Sequence, residues 1–209
     1  MPDSGIRVFV VDDDPSVRKG LTRLLSSIGY AVESFDSALS YLEREAYDSI
    51  GCVILDVHMP GMDGLDLQSR LNASESDLPV VFLSGHGDVP SSVGAMKNGA
   101  VDFLTKPVDE QALIAAIDDA LDRHCRIRQS KAADAGAQAR FARLSAREFE
   151  VMRVLLGGAL NKQVAVSLGI SEKTVKAHRK SIMTKLEASS AAELGRICAL
   201  AGIKPGGAG

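Results

Sequence analysis

Through the first 125 residues, short apolar runs alternate with stretches of helical spacing. IRVFVV (6–11), AVESF (31–35), IGCVIL (50–55), PVVFL (79–83) and VDFL (101–104) predict strands. Between them, 15–28, 37–45, 64–73 and 90–98 place apolar residues three and four apart, and a fifth helix begins near Asp109. Five strands separated by helices predict an α/β fold, a parallel doubly wound sheet covered on both faces. After Leu121 the apolar stripe fades into RIRQSKAADAGAQARFAR (126–143), which is polar, basic and alanine-rich. We read it as a linker, either coil or a helical extension of the fifth helix, since it has no proline and only Gly136 as a breaker. From Leu144 four short helical patterns follow, SAREFEVMRVLLGG, NKQVAVSLGIS, EKTVKAHRKSIMTKLE and SSAAELGRICALAG, each introduced by Ser or Asn or closed near Gly. The expected organisation is a first domain over 5–125, a linker over 126–143 and a small all-α domain over 144–203.

Charge divides the chain at the same place. Residues 1–125 hold 9 Lys or Arg against 21 Asp or Glu, a balance of −12, whereas residues 126–209 hold 15 against 6, a balance of +9. The acidic part suits a metal ion and the basic part a polyanion such as DNA. No run of 18 apolar residues occurs and the start MPDSGIR lacks a signal-peptide pattern, so no membrane span and a cytoplasmic protein are expected. Cys52, Cys125 and Cys198 are odd in number and far apart, which argues against a disulfide framework or a zinc knuckle.

In open parallel sheets, ligands bind beyond the carboxyl ends of the strands. There the first strand runs into Asp12-Asp13, the third into Asp56 and the fourth into Ser84, and Lys106 follows the fifth. Taken alone, an acidic triplet after a strand is a solvated turn, and Asp14 before Pro15 suits a helix start. If the sheet brings Asp12, Asp13 and Asp56 together, their mutual repulsion calls for a divalent cation, and all-oxygen ligands select Mg2+, with Mn2+ as a substitute. With Lys106 and Ser84 alongside, the pocket suits a phosphoryl group attacked by a carboxylate. His58 and His86 suggest a metal site, but magnesium disfavours imidazole.

VVDDD, LDVHMPGMDG, LSGHGD and DFLTKP, in this order over about residues 5–125, resemble the receiver domain of two-component response regulators. That resemblance implies a flavodoxin-like fold with Asp56 as phosphoacceptor. It makes Asp12, Asp13 and Asp56 magnesium ligands together with the main-chain carbonyl of His58. It further implies Ser84 as switch hydroxyl, Lys106 as the phosphate-binding lysine and a Lys106-Pro107 bond that is commonly cis. Phe103, a core residue by its own pattern, becomes the aromatic switch, and Gly94, either a tolerated surface glycine or the mark of a movable element, weakens the helix over 90–98 by roughly 1 kcal/mol relative to alanine. A magnesium-dependent phosphohydrolase of the haloacid dehalogenase type is the rival for this half. It would need an Asp-X-Asp-X-Thr run, which VVDDDPSVR lacks.

In the basic part, residues 161–186 have helix-turn-helix spacing, with Asn161 opening one helix, Gly169 turning the chain and Ser171 capping the next. Val175, Ile182 and Leu186 should face the core, and Lys173, Lys176, Ala177 and Lys180 form a small basic side that fits a major groove or, more blandly, a solvated face. LSAREFEVMRVL and NKQVAVSLGISEKTVKAHRKSIMTKLE resemble the LuxR-type DNA-binding domain over about 144–203. By that resemblance Lys176, Ala177 and Lys180 face bases, Ser171, Thr174, Arg179 and Lys185 face phosphates, and Glu148 matches a glutamate of the first helix. Together the parts resemble the NarL/FixJ class of transcription factors, closest in spelling to its FixJ branch. The resemblance implies a transcriptional regulator that is not a turnover enzyme. A sensor histidine kinase would phosphorylate Asp56, a homodimer would bind promoter DNA, and RNA polymerase is a further expected partner. The competing reading is a DNA-binding protein that uses its first domain for phosphorylation-independent docking or dimerisation.

Overall fold

The computed structural model describes residues 5–74, 76–85 and 89–206, and the chain divides into two compact units, Met1–Gln129 and Ser130–Gly209. The first unit alternates strands and helices as β1 (Ile6–Val11), α1 (Pro15–Ser27), β2 (Ala31–Phe35), α2 (Ala38–Leu42), β3 (Ile50–Asp56), α3 (Gly64–Ala73), β4 (Val80–Ser84), α4 (Val89–Lys97), β5 (Asp102–Thr105) and the start of α5 (Glu110–Phe141), whose last turns fall in the second unit. All four strand pairings are parallel, in the order β2-β1-β3-β4-β5.

The period-two alternation of the strands assigns their side chains to two cores. Phe9, Val11, Val53, Leu55 and Phe82 pack with Tyr41 of α2, Leu67 and Leu71 of α3 and Ala95 of α4. Val8, Val10, Cys52, Ile54, Val81 and Leu83 pack with Leu21 and Leu25 of α1 and Leu113, Ile117 and Leu121 of α5. Successive strands lie to opposite sides of β1, so the order reverses between β1 and β3. A crevice opens at that switch point, beyond the strands' carboxyl ends.

Most expected elements occur within a residue or two of their sequence boundaries. The helix expected over 37–45 is the five-residue α2, because the chain turns away for Tyr47 to set its ring edge-on against Phe9, 5.2 Å between centroids, and donate its hydroxyl to the carbonyls of Gly5 and Ile50. The fifth helix continues through the basic, alanine-rich stretch as far as Phe141, but its buried residues end at His124. Past that point good helix formers sustain the helix without a core beneath it.

The second unit contains α6 (Ala146–Leu156), α7 (Asn161–Leu168), α8 (Glu172–Lys185) and α9 (Ala191–Leu200). Val151, Met152, Val164, Val175, Ile182, Leu186, Leu194 and Cys198 form its core. Ser145, Ser171 and Ser190 cap α6, α8 and α9, each side chain accepting a backbone N–H three residues on. Gly169 closes α7 with φ 63°, the left-handed conformation that glycine adopts without steric cost, and the chain turns there into α8. Asn161 is the first residue of α7 and does not cap it; the Leu160 N–H is instead taken by the Gln163 side chain at 2.7 Å.

Candidate functional site

Asp12 follows β1 and Asp56 ends β3, the two strands that flank the switch point, so fold topology alone places their carboxylates side by side. Both are buried, at 1% and 6% exposed, while Asp13 faces solvent. Carboxylate oxygens of Asp12, Asp13 and Asp56 all lie within 4.8 Å of one another. Lys106 Nζ reaches in from beyond β5, donating to Asp12 Oδ2 at 2.6 Å and Asp56 Oδ1 at 2.8 Å. Its own N–H is bonded to the Ser84 carbonyl at 2.7 Å, and the Lys106-Pro107 peptide is cis.

Burial pushes the Asp56 carboxyl above its ordinary range, and the Lys106 hydrogen bond and charge offset only part of that rise. On Lys106 the balance goes the other way. Burial pulls the ammonium down, but the hydrogen bonds and charges of Asp12 and Asp56 outweigh it and leave the ammonium raised. The pocket therefore holds a carboxylate whose charge is costly and a lysine whose charge is secured. Such a carboxylate is poised to exchange its place beside the ammonium for a bond to an electrophile whose oxygens the lysine can take.

Three features of this pocket did not emerge from sequence reasoning. Gly64, first residue of α3, donates its N–H to the Val57 carbonyl at 2.8 Å, and a Cβ built there would lie 2.1 Å from the Asp56 carbonyl oxygen. Only a residue without a side chain lets α3 approach the end of β3 so closely. Arg18, one turn into α1, donates to the main-chain carbonyls of Asp12 at 2.7 Å and Asp13 at 2.9 Å, bracing the acidic turn from behind. Asp12 Oδ1 also accepts the Asp14 N–H at 2.9 Å, which fixes its rotamer. The GMDG spelling was the available signal for Gly64; nothing in the spacing marked Arg18.

The remaining expected residues of this half are placed as follows. Ser84 is the buried last residue of β4. Phe103, half-buried in β5, packs against the α3 and α4 side of the sheet, its ring 6.0 Å from that of Phe82. His58 is exposed, and His86 lies outside the described residues. Asp14 caps α1, its carboxylate accepting the Ser16 N–H at 2.7 Å with Pro15 as first helical residue.

On α8, Val175 and Ile182 are fully buried, with Leu186 just beyond the helix, and Lys173, Lys176, Ala177, Arg179 and Lys180 are exposed. Ser171 and Thr174 are exposed too, but their hydroxyls lie 2.8 Å from each other, and the Ser171 oxygen accepts the Thr174 N–H. Lys185, expected toward DNA phosphate, instead donates to Glu148 Oε2 at 2.7 Å. That carboxylate is 5% exposed and also takes the Ser181 hydroxyl at 2.6 Å and the Ser145 N–H at 2.7 Å. The Lys185 hydrogen bond, then those of Ser181 and Ser145, hold Glu148 at a pKa of about 2. Lysine spacing alone could not reveal this, because the partner lies 37 residues away in sequence on α6.

Comparison with known proteins finds a family for each half of the chain. Residues 8–118 match the response regulator receiver domain, and residues 142–198 match the bacterial regulatory proteins of the luxR family. The chain is 44% identical to the transcriptional regulatory protein FixJ of Azorhizobium caulinodans, over 98% of this chain and 97% of that one. It is 43% identical to the response regulator protein TodT of Pseudomonas putida strain F1, over 94% of this chain and 87% of that one. Among solved structures, the response regulator StyR is similar at 45% identity with a TM-score of 0.87, covering 93% of this chain and 98% of that one. A full-length FixJ from B. japonicum is 42% identical with a TM-score of 0.57, covering 94% and 97%. With an acidic receiver-type pocket in one unit and a luxR-type helix-turn-helix in the other, the chain belongs to the NarL/FixJ class of response regulators, whose members regulate transcription in a phosphorylation-dependent manner.

Proposed function

We propose that Asp56 receives a phosphoryl group from a sensor histidine kinase and that this modification promotes homodimerisation and binding of α8 to promoter DNA. The observation that carries the proposal is the convergence of the Asp12, Asp13 and Asp56 carboxylates on one point, with Lys106 bridging two of them. Three carboxylates in so small a space, all offering oxygen, fit a hard divalent cation. Asp12, Asp13, Asp56 and the main-chain carbonyl of His58 would hold Mg2+. When bound, the ion neutralises phosphoryl oxygens and the charge that builds up as the phosphoryl group moves.

The chain's own groups do the rest. The Asp56 carboxylate attacks phosphorus, forming an aspartyl phosphate while the kinase's histidine leaves. The Lys106 ammonium, already within hydrogen-bond reach of Asp56, follows a phosphate oxygen, and the Ser84 hydroxyl bonds another. Phe103 then turns toward the space that Ser84 leaves, reshaping the outer face of 90–104 so that two chains pair. The phosphoryl group stays on this one residue, and the protein does not turn over a substrate. Lys176, Ala177 and Lys180 meet base edges, with Lys173 and Arg179 beside the backbone. Ser171 and Thr174 present the α8 N-terminus to a phosphate, and Lys185 holds α8 to Glu148 more than it reaches for DNA. RNA polymerase would be recruited by the DNA-bound dimer. No described helix is long and apolar enough to cross a membrane, and both partners proposed for α8 and Asp56 are reached from the cytoplasm.

Incubation with acetyl phosphate and Mg2+ should add one phosphate by intact mass, none without the metal and none in Asp56→Asn. Undiminished labelling of Asp56→Asn would refute the assignment.

A further inference from the structure

Immediately after α8 the backbone does something unusual. Glu187 has φ 57°, and among the described residues it is the one non-glycine with positive φ. Glycine takes that conformation freely, whereas a residue with a side chain is strained in it. The Glu187 N–H and the Ala188 N–H bond back to the carbonyls of Thr184 and Met183, so the turn closes α8 by backbone alone and needs no carboxylate.

The carboxylate nevertheless sits among cations. Glu187 lines, together with Lys176, Arg179, Lys180 and Thr184, an open surface groove of about 540 Å³ along the second half of α8. On its other side it pairs with Arg140 Nη1, in the last turn of α5, at 3.5 Å and with Arg143 Nη1, just past the end of α5, at 4.0 Å. These are long contacts to a side chain that is 62% exposed, and exposed pairs of this kind add little to stability. Their effect on an approaching polyanion is another matter, because a single acidic charge on a cationic groove acts on every phosphate within a screening length of about 8–10 Å.

We propose that Glu187 is a built-in electrostatic brake on DNA binding, and that Arg140 and Arg143 set its strength by neutralising the carboxylate. This rests on the reading of α8 as the DNA-contacting helix. The brake acts on phosphates and not on base edges, so it lowers affinity for all duplexes alike. It also ties the end of the α5 extension to the energetics of the α8 surface: when the arginines are near, the groove is more cationic, and when they withdraw the acid opposes DNA.

The experiment uses the full chain with beryllofluoride and Mg2+, and a 30-base-pair duplex of arbitrary sequence at two salt concentrations. Glu187→Gln should bind it about two- to fivefold more tightly, with a steeper salt dependence. Glu187→Gly, which keeps the turn and removes the side chain, should gain as much. Arg140→Gln/Arg143→Gln should weaken binding in the parent chain and change little in the Glu187→Gln background. Unchanged affinity in both Glu187 variants overturns the brake. An equal loss from the arginine pair in both backgrounds overturns the neutralising role, since those arginines would then act on DNA themselves. Lys173→Ala, which removes a cation placed beside the DNA backbone, is measured in parallel and reports on the α8 reading itself: if it leaves binding intact while the Glu187 variants also do nothing, it is the interface that is misplaced.

Discussion

The two units handle charge in opposite ways. In the first, acidic and basic groups are drawn into a crevice at the end of the sheet, where Asp12, Asp56 and Lys106 are each within 3 Å of a partner. In the second, the cations of α8 are spread over an open surface, and a strongly buried charge, Glu148, holds helices together. A pocket that must bind and react gains from low dielectric and fixed geometry, while a surface that must meet a phosphate backbone gains from exposed, hydrated charge. The difference shows where substitutions should abolish function, where they should unfold a unit, and where they should only retune an affinity.

The largest effect expected from breaking this contrast is at Asp56. Asp56→Asn should lose all response to acetyl phosphate or beryllofluoride, yet its thermal stability should equal or exceed that of the parent. The sign follows from the raised pKa of Asp56. A carboxyl raised in the folded state contributes stability below its ordinary pKa and loses it as pH rises through the folded value, so at neutral pH its charge is a burden that a neutral amide removes. A calorimetric scan at neutral pH checks this, and a markedly destabilised Asp56→Asn would contradict it.

Next in size is Gly64→Ala. Its Cβ would have to displace the Asp56 backbone, at a cost of about 3 kcal/mol or more, and phosphorylation should slow with the loss of stability. Urea denaturation measures the first effect and intact mass over time the second.

In the second unit Glu148→Ala should cost about 2–3 kcal/mol, since it leaves Lys185, Ser181 and the Ser145 N–H without their acceptor. The same carboxylate predicts an acid dependence. With a pKa of about 2 against an ordinary 4.5, it contributes stability above the ordinary value and loses it progressively as pH falls from about 5 toward 2. Amide protection factors in α6 and α8, corrected for the intrinsic exchange rate at each pH, should therefore fall over that range in the parent and less so in Glu148→Gln. Lys185→Ala should share this destabilisation and leave the salt slope of DNA binding nearly unchanged.

The smallest expected effect is the most specific. Lys176→Ala and Lys180→Ala should lose about 1–3 kcal/mol of discrimination between duplexes with no change in fold, as judged by selection from random sequence.

How much of this was legible in the sequence differs between the units for the same physical reason. Strand ends and a chain reversal locate Asp12, Asp56 and Ser84 from period-two patterns and the parallel topology, so the acidic pocket could be assembled on paper. The helix-turn-helix was equally visible in Gly169 and in the core face of Val175 and Ile182. Pairing over long sequence distances was not visible. Lys185 looks like any other lysine of α8 until Glu148 is found beneath it, and Arg18 looks like a solvated helix residue until its guanidinium is seen on the carbonyls of Asp12 and Asp13. The continuation of α5 to Phe141 was an open alternative for a related reason: alanine and arginine favour helix, but no buried face marks where it should stop.

The central claim is that chemistry at Asp56 controls the DNA affinity of α8. Sedimentation velocity of the full chain, with a labelled duplex selected by its own binding, with and without beryllofluoride and Mg2+, tests it most directly. The account predicts that the mimic converts monomer to dimer and strengthens DNA binding, that Asp56→Asn shows neither change, and that Phe103→Ala takes up the mimic but responds less. A chain that dimerises and binds DNA equally well without the mimic, or an undiminished response in Asp56→Asn, would contradict it.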